Sequence, residues 1–225
     1  MGTGRGTGRI KLDMHLHTCG SFDCLTDPHE LVARAGACGI DRICVTDHNA
    51  IAVAQQLASD YPERVIVGEE VKTAERVDII GLYIRELIPQ GTPALETCER
   101  IRSQGGIVYV PHPFAGGKGG GGRLLVQIEH AIDVLEAFNA RLHDPTLNER
   151  AATWARARRL PLGAGSDAHT LHEVGRAWVE LPPFDNEPGA LLAALRDATI
   201  HGTPSSRVVH VASAWAKTRK WLVRS

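Results

Sequence analysis

The chain has 225 residues, 43% of them hydrophobic and 23% charged, with a formal net charge of -1. That balance fits one globular domain with a sizeable core and excludes collagen-like, disordered and disulfide-stapled chains. With 25 Lys+Arg against 26 Asp+Glu there is no global field for long nucleic acid or an anionic membrane, so any phosphate recognition has to be local.

Residues 1–9 alternate Gly, Thr and Arg without periodicity and read as a flexible arm. They lack the apolar segment of a secretory signal, and no run approaches the roughly 20 apolar residues of a membrane span, so the expected compartment is the cytoplasm. Residues 10–205 form the expected domain. Short apolar runs at 10–16, 42–46, 64–68, 77–84, 106–110, 134–138 and 160–165 read as strands. Between the first two, Asp27 offers an N-cap, Pro28 the first helical position and Glu30 a capping box, ahead of an apolar stripe ending at Gly39. The stretch from Thr92 to Gly105 repeats this logic, and 49–59, 124–132, 145–159 and 187–197 are further helix candidates. Alternating strands and helices predict a parallel sheet, and about seven units are enough to curl it into a barrel; an open doubly wound sheet is the competing fold. Residues 206–225 read as a basic amphipathic helix packed on the barrel. Cys19, Cys24, Cys38, Cys44 and Cys98 contain no CxxC pair and read as reduced thiols.

Histidines and carboxylates gather at the carboxyl ends of these strands, where α/β barrels place their sites. His15 and His17, two apart on an extended strand, present both imidazoles on one face. Thr46-Asp47-His48-Asn49, Gly68-Glu69-Glu70, Pro111-His112-Pro113 and Gly165-Ser166-Asp167-Ala168-His169 end later strands. So many imidazoles and carboxylates exceed the needs of one structural zinc and suggest a multinuclear site with a bridging carboxylate.

The motifs Asp13-x-His15-x-His17-Thr18, Ser21-x-Asp23, Val45-Thr46-Asp47-His48-Asn49, Gly68-x-Glu70, Pro111-His112-Pro113, Glu136-x-x-Asn139 and Gly165-Ser166-Asp167-Ala168-His169 resemble the polymerase and histidinol phosphatase (PHP) family of metal-dependent phosphoesterases. The resemblance runs from about Ile10 to about His201. It implies a distorted seven-unit (β/α) barrel, a TIM-like single domain, holding two or three divalent ions, zinc, manganese or iron. Carried over by position, His15, His17, Glu70 and Asp167 look like ligands of one ion, and Glu70 and His112 of its neighbour. Asp23, His48 and His169 resemble the set for a third. Asp78 stands where many members place a histidine, which leaves the second position weaker, suited to a harder metal or without that ligand.

The implied reaction is in-line attack of a metal-bridging hydroxide on a phosphate monoester, with no covalent phosphoenzyme. The substrate would be a small phosphorylated metabolite, a nucleotide or an oligonucleotide end. Asp47 and Asn139 are candidates for orienting ligands, Arg141, Lys118 and Arg123 for holding phosphate, and His143 for protonating the leaving alkoxide. The glycine tract 116–122 reads either as a surface loop or as a mobile lid. His29, His130, His172, His201 and His210 fall outside the set and read as surface residues. Two other functions stay open: an amidohydrolase-type metal hydrolase, disfavoured by the lack of a metal-bridging lysine at a strand end, and a non-catalytic interaction module stabilised by its metals.

Overall fold

A computed structural model describes residues 8–116, 121–122 and 124–224. Most of the predicted arm, most of the glycine tract, and Lys118 and Arg123 lie outside them. One nine-stranded sheet runs in the order β7-β6-β5-β4-β3-β2-β1-β8-β9, from β1 (Ile10–Leu16), β2 (Arg42–Val45), β3 (Val65–Lys72), β4 (Asp78–Leu82), β5 (Ile107–Val110), β6 (Val134–Asn139), β7 (Leu162–Gly165), β8 (Ala177–Leu181) and β9 (Thr199–Gly202). The first seven coincide with the strands expected from the sequence, and they curl into a nearly closed barrel. The seam is bridged where the end of β1 meets the turn after β7: Asp167 N donates to His15 O at 2.8 Å and His17 N to Ala168 O at 3.0 Å.

The sheet is not all parallel. β4 runs antiparallel to both β3 and β5. Only Thr73 to Val77 separate β3 from β4, too few residues for a parallel crossover, so the chain has to turn back as a hairpin. β8 and β9, absent from the sequence reading, form an antiparallel ladder that extends the sheet beside the first half of β1.

The helices are α1 (Pro28–Ala37), α2 (Ala52–Asp60), α3 (Ala94–Ser103), α4 (Leu124–Ile128), α5 (Pro145–Ala157), α6 (Pro188–Ala194) and α7 (Val209–Arg224), with short 3-10 turns after α4 and α6. Asp27 caps α1 by accepting from His29 N and Glu30 N at 2.9 and 3.0 Å, and Gly39 at φ 74° ends the turn. Asp144 caps α5 by accepting from Thr146 N at 3.0 Å. Apolar faces of α1 and α2 (Leu31, Val32, Ala54, Leu57) pack on Ile43, Val45 and Val65. Those of α3, α4 and α5 pack on Ile79, Val108 and Leu135. The interior is a cluster contributed strand by strand, with Leu12, Met14, Cys44, Ile66, Ile80, Leu82, Tyr109 and Val134. Leu191 and Leu195, from α6 and the turn after it, join that cluster. Among the described residues no helix is long and apolar enough to cross a membrane.

Candidate metal centre

The carboxyl ends of the barrel strands open into a cleft of about 710 Å³, within the size range of small-molecule sites. Three residues at its strand ends sit in the left-handed backbone region: Asn49 at φ 50°, His112 at 28° and Asp167 at 52°. That conformation costs a non-glycine residue of order 1 kcal/mol or more and persists only where the surroundings enforce it. Here the chain reverses sharply at the strand end and turns His112 and Asp167 toward the same cleft.

The ligand candidates converge there. His15 Nε2 and His17 Nε2 lie 3.1 Å apart, and each is 3.4 Å from Glu70 Oε2. Asp167 Oδ1 completes the group at 3.3 Å from His17 and 3.8 Å from His15. The other oxygen of Glu70, Oε1, faces His112 Nε2 at 3.1 Å. Asp23 Oδ1 is 3.3 Å from His169 Nε2 and 3.6 Å from His48 Nε2, while His48 Nδ1 reaches Glu70 Oε2 at 2.9 Å. His17 also joins His48 and His169, with its ring centroid 4.4 and 4.2 Å from theirs. The eight candidates therefore form one continuous cluster with Glu70 at its centre.

The outer nitrogens of His15 and His17 are held by partners that fix the tautomer, leaving the inner lone pair for a cation. His15 Nδ1 lies 3.1 Å from Glu136 Oε1 and donates to it. Glu136 itself accepts from Tyr109 Oη at 3.0 Å, His112 N at 2.7 Å and Asn139 Nδ2 at 2.9 Å. His17 Nδ1 is 3.0 Å from Ser21 Oγ, whose proton goes to Asp47 Oδ1 at 2.7 Å, so the serine accepts from the imidazole. Asp47 also takes Thr18 N at 2.7 Å and Ser21 N at 3.1 Å, holding the loop after β1. Asn139 Nδ2 reaches Asp167 Oδ2 at 3.3 Å. Asp47 and Asn139 thus hydrogen-bond the side chains and loop around the ligand candidates.

The donor set fits divalent cations. Asp23 Oδ1, His112 Nδ1 and His169 Nε2 are buried yet make no hydrogen bond to any described residue, a condition that costs free energy unless something else satisfies them. Burial raises the Glu70 carboxyl, but His48 and His15 beside it hold it well below the usual carboxylate range. Asp167 is held down against its burial by His15 and His17. Burial, with His169 and His48 nearby, keeps His17 neutral, the form that ligates. His48 moves the other way: burial opposes its charge, yet Glu70 and Asp23 push it up to about 9. A pocket that draws protons onto imidazoles against desolvation draws a divalent cation in their place and releases those protons.

Other expectations fare differently. Arg141 lines the cleft, but its guanidinium is engaged: Nε with Glu173 Oε1 at 2.9 Å, Nη2 with Ser213 Oγ at 2.8 Å, and Nη1 2.8 Å from His169 Nδ1. It ties His169 to α7. His143 does not line the cleft; His210, read from sequence as a surface residue, does, and the two rings meet at Nε2 to Nε2 2.9 Å. Asp78 is buried at the cleft and paired with Lys72. Lys72 stands at the end of β3, and its ammonium binds Asp78. Lys217 of α7 also lines the cleft, 3.6 Å from Asp23 Oδ2. Among the supporting residues that were not candidates, Glu136 and Ser21 have a sequence signal, their places in Glu136-x-x-Asn139 and Ser21-x-Asp23, whereas Tyr109, Lys72 and Lys217 have none.

The sequence profile described as the PHP domain matches residues 13–139, and one described as PHP-associated matches 145–200. The uncharacterized protein MJ1587 of Methanocaldococcus jannaschii is 32% identical over 155 residues, 63% of this chain and 89% of that protein. The 5'-3' exoribonuclease of Haemophilus influenzae is 31% identical over 100 residues, 42% of this chain and 36% of that one. A solved two-domain protein of Bacteroides vulgatus containing a predicted PHP-like metal-dependent phosphoesterase superposes with a TM-score of 0.65 at 17% identity, over 87% of this chain and 65% of its own. At that identity the likeness speaks for the fold.

Proposed function

Because the chain belongs to the PHP domain family, we propose that it is a metal-dependent phosphoesterase hydrolysing a phosphate monoester: a small phosphorylated metabolite, a nucleotide or the end of an oligonucleotide. One observation carries the reading. Glu70 turns Oε2 toward His15, His17 and His48 and Oε1 toward His112, the arrangement of a carboxylate shared between cations. Zinc, manganese or iron ions bound there would supply Lewis acidity toward a phosphate oxygen and toward water.

The protein's own side chains do the rest. Lys217 lines the cleft, 52% exposed, and offers positive charge to the phosphate. Phe22 lines the same cleft, 45% exposed, with its ring 5.2 Å from that of His48, and gives the organic part of the ester an apolar face. His210, joined to His143, holds the proton that the leaving alkoxide takes up.

The test is metal content by mass spectrometry on unsupplemented protein, beside a phosphatase assay with zinc, manganese and iron in turn, for wild type and His15→Ala. More than one equivalent of metal, with a metal-dependent activity that the variant loses, supports the reading. At most one equivalent, with no phosphate ester cleaved under any metal, refutes it and favours a binding role.

A further inference from the structure

We propose that the outer face of α7 is a docking surface for an anionic phospholipid bilayer, which the protein grips peripherally without spanning it. The inference goes beyond the reaction assigned to the cleft and does not depend on it. It starts from charge. Residues 198–225 carry five basic side chains (Arg207, Lys217, Arg219, Lys220 and Arg224) and no acidic one. Taking those five from the 25 Lys+Arg leaves 20 against 26 Asp+Glu, a net charge of -6, for residues 1–197. A near-neutral chain is thus polarised, with an excess of positive charge gathered at one helix.

The orientation of α7 is fixed by its polar side. Arg141 Nη2 donates to Ser213 Oγ at 2.8 Å and to Val209 O at 3.4 Å, Lys220 Nζ donates to Cys19 O at 2.5 Å and to Ser21 O, and Lys217 Nζ lies 3.6 Å from Asp23 Oδ2. Ser213 and Ala216 are buried. The opposite side is apolar. Arg207 and Val208 lead into the helix, with His210 N donating to Arg207 O at 3.3 Å and Val211 N to Val208 O at 3.0 Å. Val208, Val211, Trp215 and Leu222 then follow at intervals of three, four and seven residues, which places them in one stripe about 21 Å long. All four are 61–71% exposed. Such residues need no explanation when scattered singly, but gathered in one stripe they mark a contact surface.

The chemistry beside the stripe selects its occupant. Arg219 lies four positions after Trp215 and three before Leu222, and Arg207 lies four before Val211, so both flank the apolar side chains. Both are exposed, and neither makes an ion pair with a described residue. A tryptophan and aliphatic side chains edged by arginines suit the boundary of a bilayer, where the apolar groups enter the acyl region and the guanidiniums meet lipid phosphate. A second copy of the helix would bring these arginines against their own kind, with no carboxylate in 198–225 to pair them. A nucleic acid would take the arginines but leave Val208, Val211 and Leu222 in water. The negative charge elsewhere is repelled by the same lipid surface, so the protein settles on it through α7, while the inner face of that helix still lines the cleft with His210, Ser213 and Lys217.

The experiment is co-sedimentation of the full-length protein with vesicles of phosphatidylcholine alone and of phosphatidylcholine mixed with phosphatidylglycerol, with folding checked by circular dichroism. Wild type should partition onto the mixed vesicles far better than onto the neutral ones, and salt should release it. Arg207→Gln/Arg219→Gln should weaken partitioning roughly 30-fold, from about a factor of five for each charge at the surface. Val211→Ser/Trp215→Ser should weaken it by about tenfold or more, while Trp215→Phe stays within about threefold of wild type. Wild type that stays in the supernatant with both vesicles, or binds both equally, overturns the proposal. So does a folded Val211→Ser/Trp215→Ser that partitions like wild type. Two further results overturn it when vesicle binding is absent: a dimer in sedimentation equilibrium that Val211→Ser/Trp215→Ser dissolves, which assigns the face to a second copy, and binding of a single-stranded oligonucleotide that the arginine variant loses. The comparison of the two vesicles needs no variant, so the proposal stays exposed to refutation even if a substitution disturbs the helix.

Discussion

Replacing Glu136 by Gln tests how the first ion position is held. Each carboxylate oxygen serves two donors: Oε1 takes His15 Nδ1 and Tyr109 Oη, and Oε2 takes His112 N and Asn139 Nδ2. An amide must turn its NH₂ toward one of these pairs. Facing His112 N, it strands a buried backbone donor that has no alternative, at roughly 1–3 kcal/mol, with a similar term for Asn139. Facing His15 and Tyr109, it meets two groups able to become acceptors, the hydroxyl by rotation and the imidazole by moving its proton to Nε2, for about 1 kcal/mol in all. The second arrangement wins, and it removes the lone pair that His15 turns toward His17 and Asp167. The metal-free variant should lose only about 1 kcal/mol of stability, while metal affinity falls roughly 10- to 100-fold, the usual cost of losing such an outer partner. Chelator-competition titration gives the affinity, a thermal melt of the stripped protein the stability, and nitrogen chemical shifts of the imidazoles the tautomer. Affinity within about twofold of wild type, with His15 still protonated at Nδ1, would refute the reasoning.

Ser21→Ala breaks the relay from Asp47 to His17 Nδ1, and the same titration should show about tenfold weaker metal binding with little change in fold. Gly165→Ala places a methyl group against His15 Cβ and 2.7 Å from Glu136 Oε1; the variant should be strongly destabilised and fail to hold metal, seen by melting and by metal content. Burial pushes the Glu69 carboxyl up to about 7 from its ordinary 4.5, so the folded state binds the proton more tightly than the unfolded chain. Stability should therefore fall as pH rises from about 4.5 to 7, by roughly 3 kcal/mol in all. Glu69→Gln should remove this slope and melt higher than wild type at pH 8, which paired melts at pH 5 and 8 would check.

The seven barrel strands were legible because each is a short apolar run closed by punctuation, and the ligand candidates because imidazoles and carboxylates recur at strand ends. Direction and register were not. The reversal of β4 follows from a connection of a few residues, and the Lys72 to Asp78 pairing exists only once that reversal is known. β8 and β9 are short; β8 alternates buried and half-buried positions, and β9 has none fully buried, so neither shows a continuous apolar run. The sequence reads the tail as an amphipathic helix, but amphipathicity does not say which face turns inward. Here His210, Ser213 and Lys217 meet a polar cleft while Val211 and Trp215 stay exposed, at 68% and 62%. A helix that covers a charged site buries its polar stripe, the reverse of one that covers a core.

The seam between the first and last barrel strands has a further consequence. His15 and His17 stand on one side of it and Asp167 and His169 on the other, some 150 positions away in the chain, so contacts that cross it are among the last that a growing ring can make. An ion held by both sides acts as a clasp on the hoop. Its binding energy becomes closure energy, about 4 kcal/mol at a free metal concentration a thousand times the dissociation constant. Metal supply would then set how long the ring stays shut, and a cell short of metal would hold this protein in a springier, more readily degraded form before any question of turnover arises.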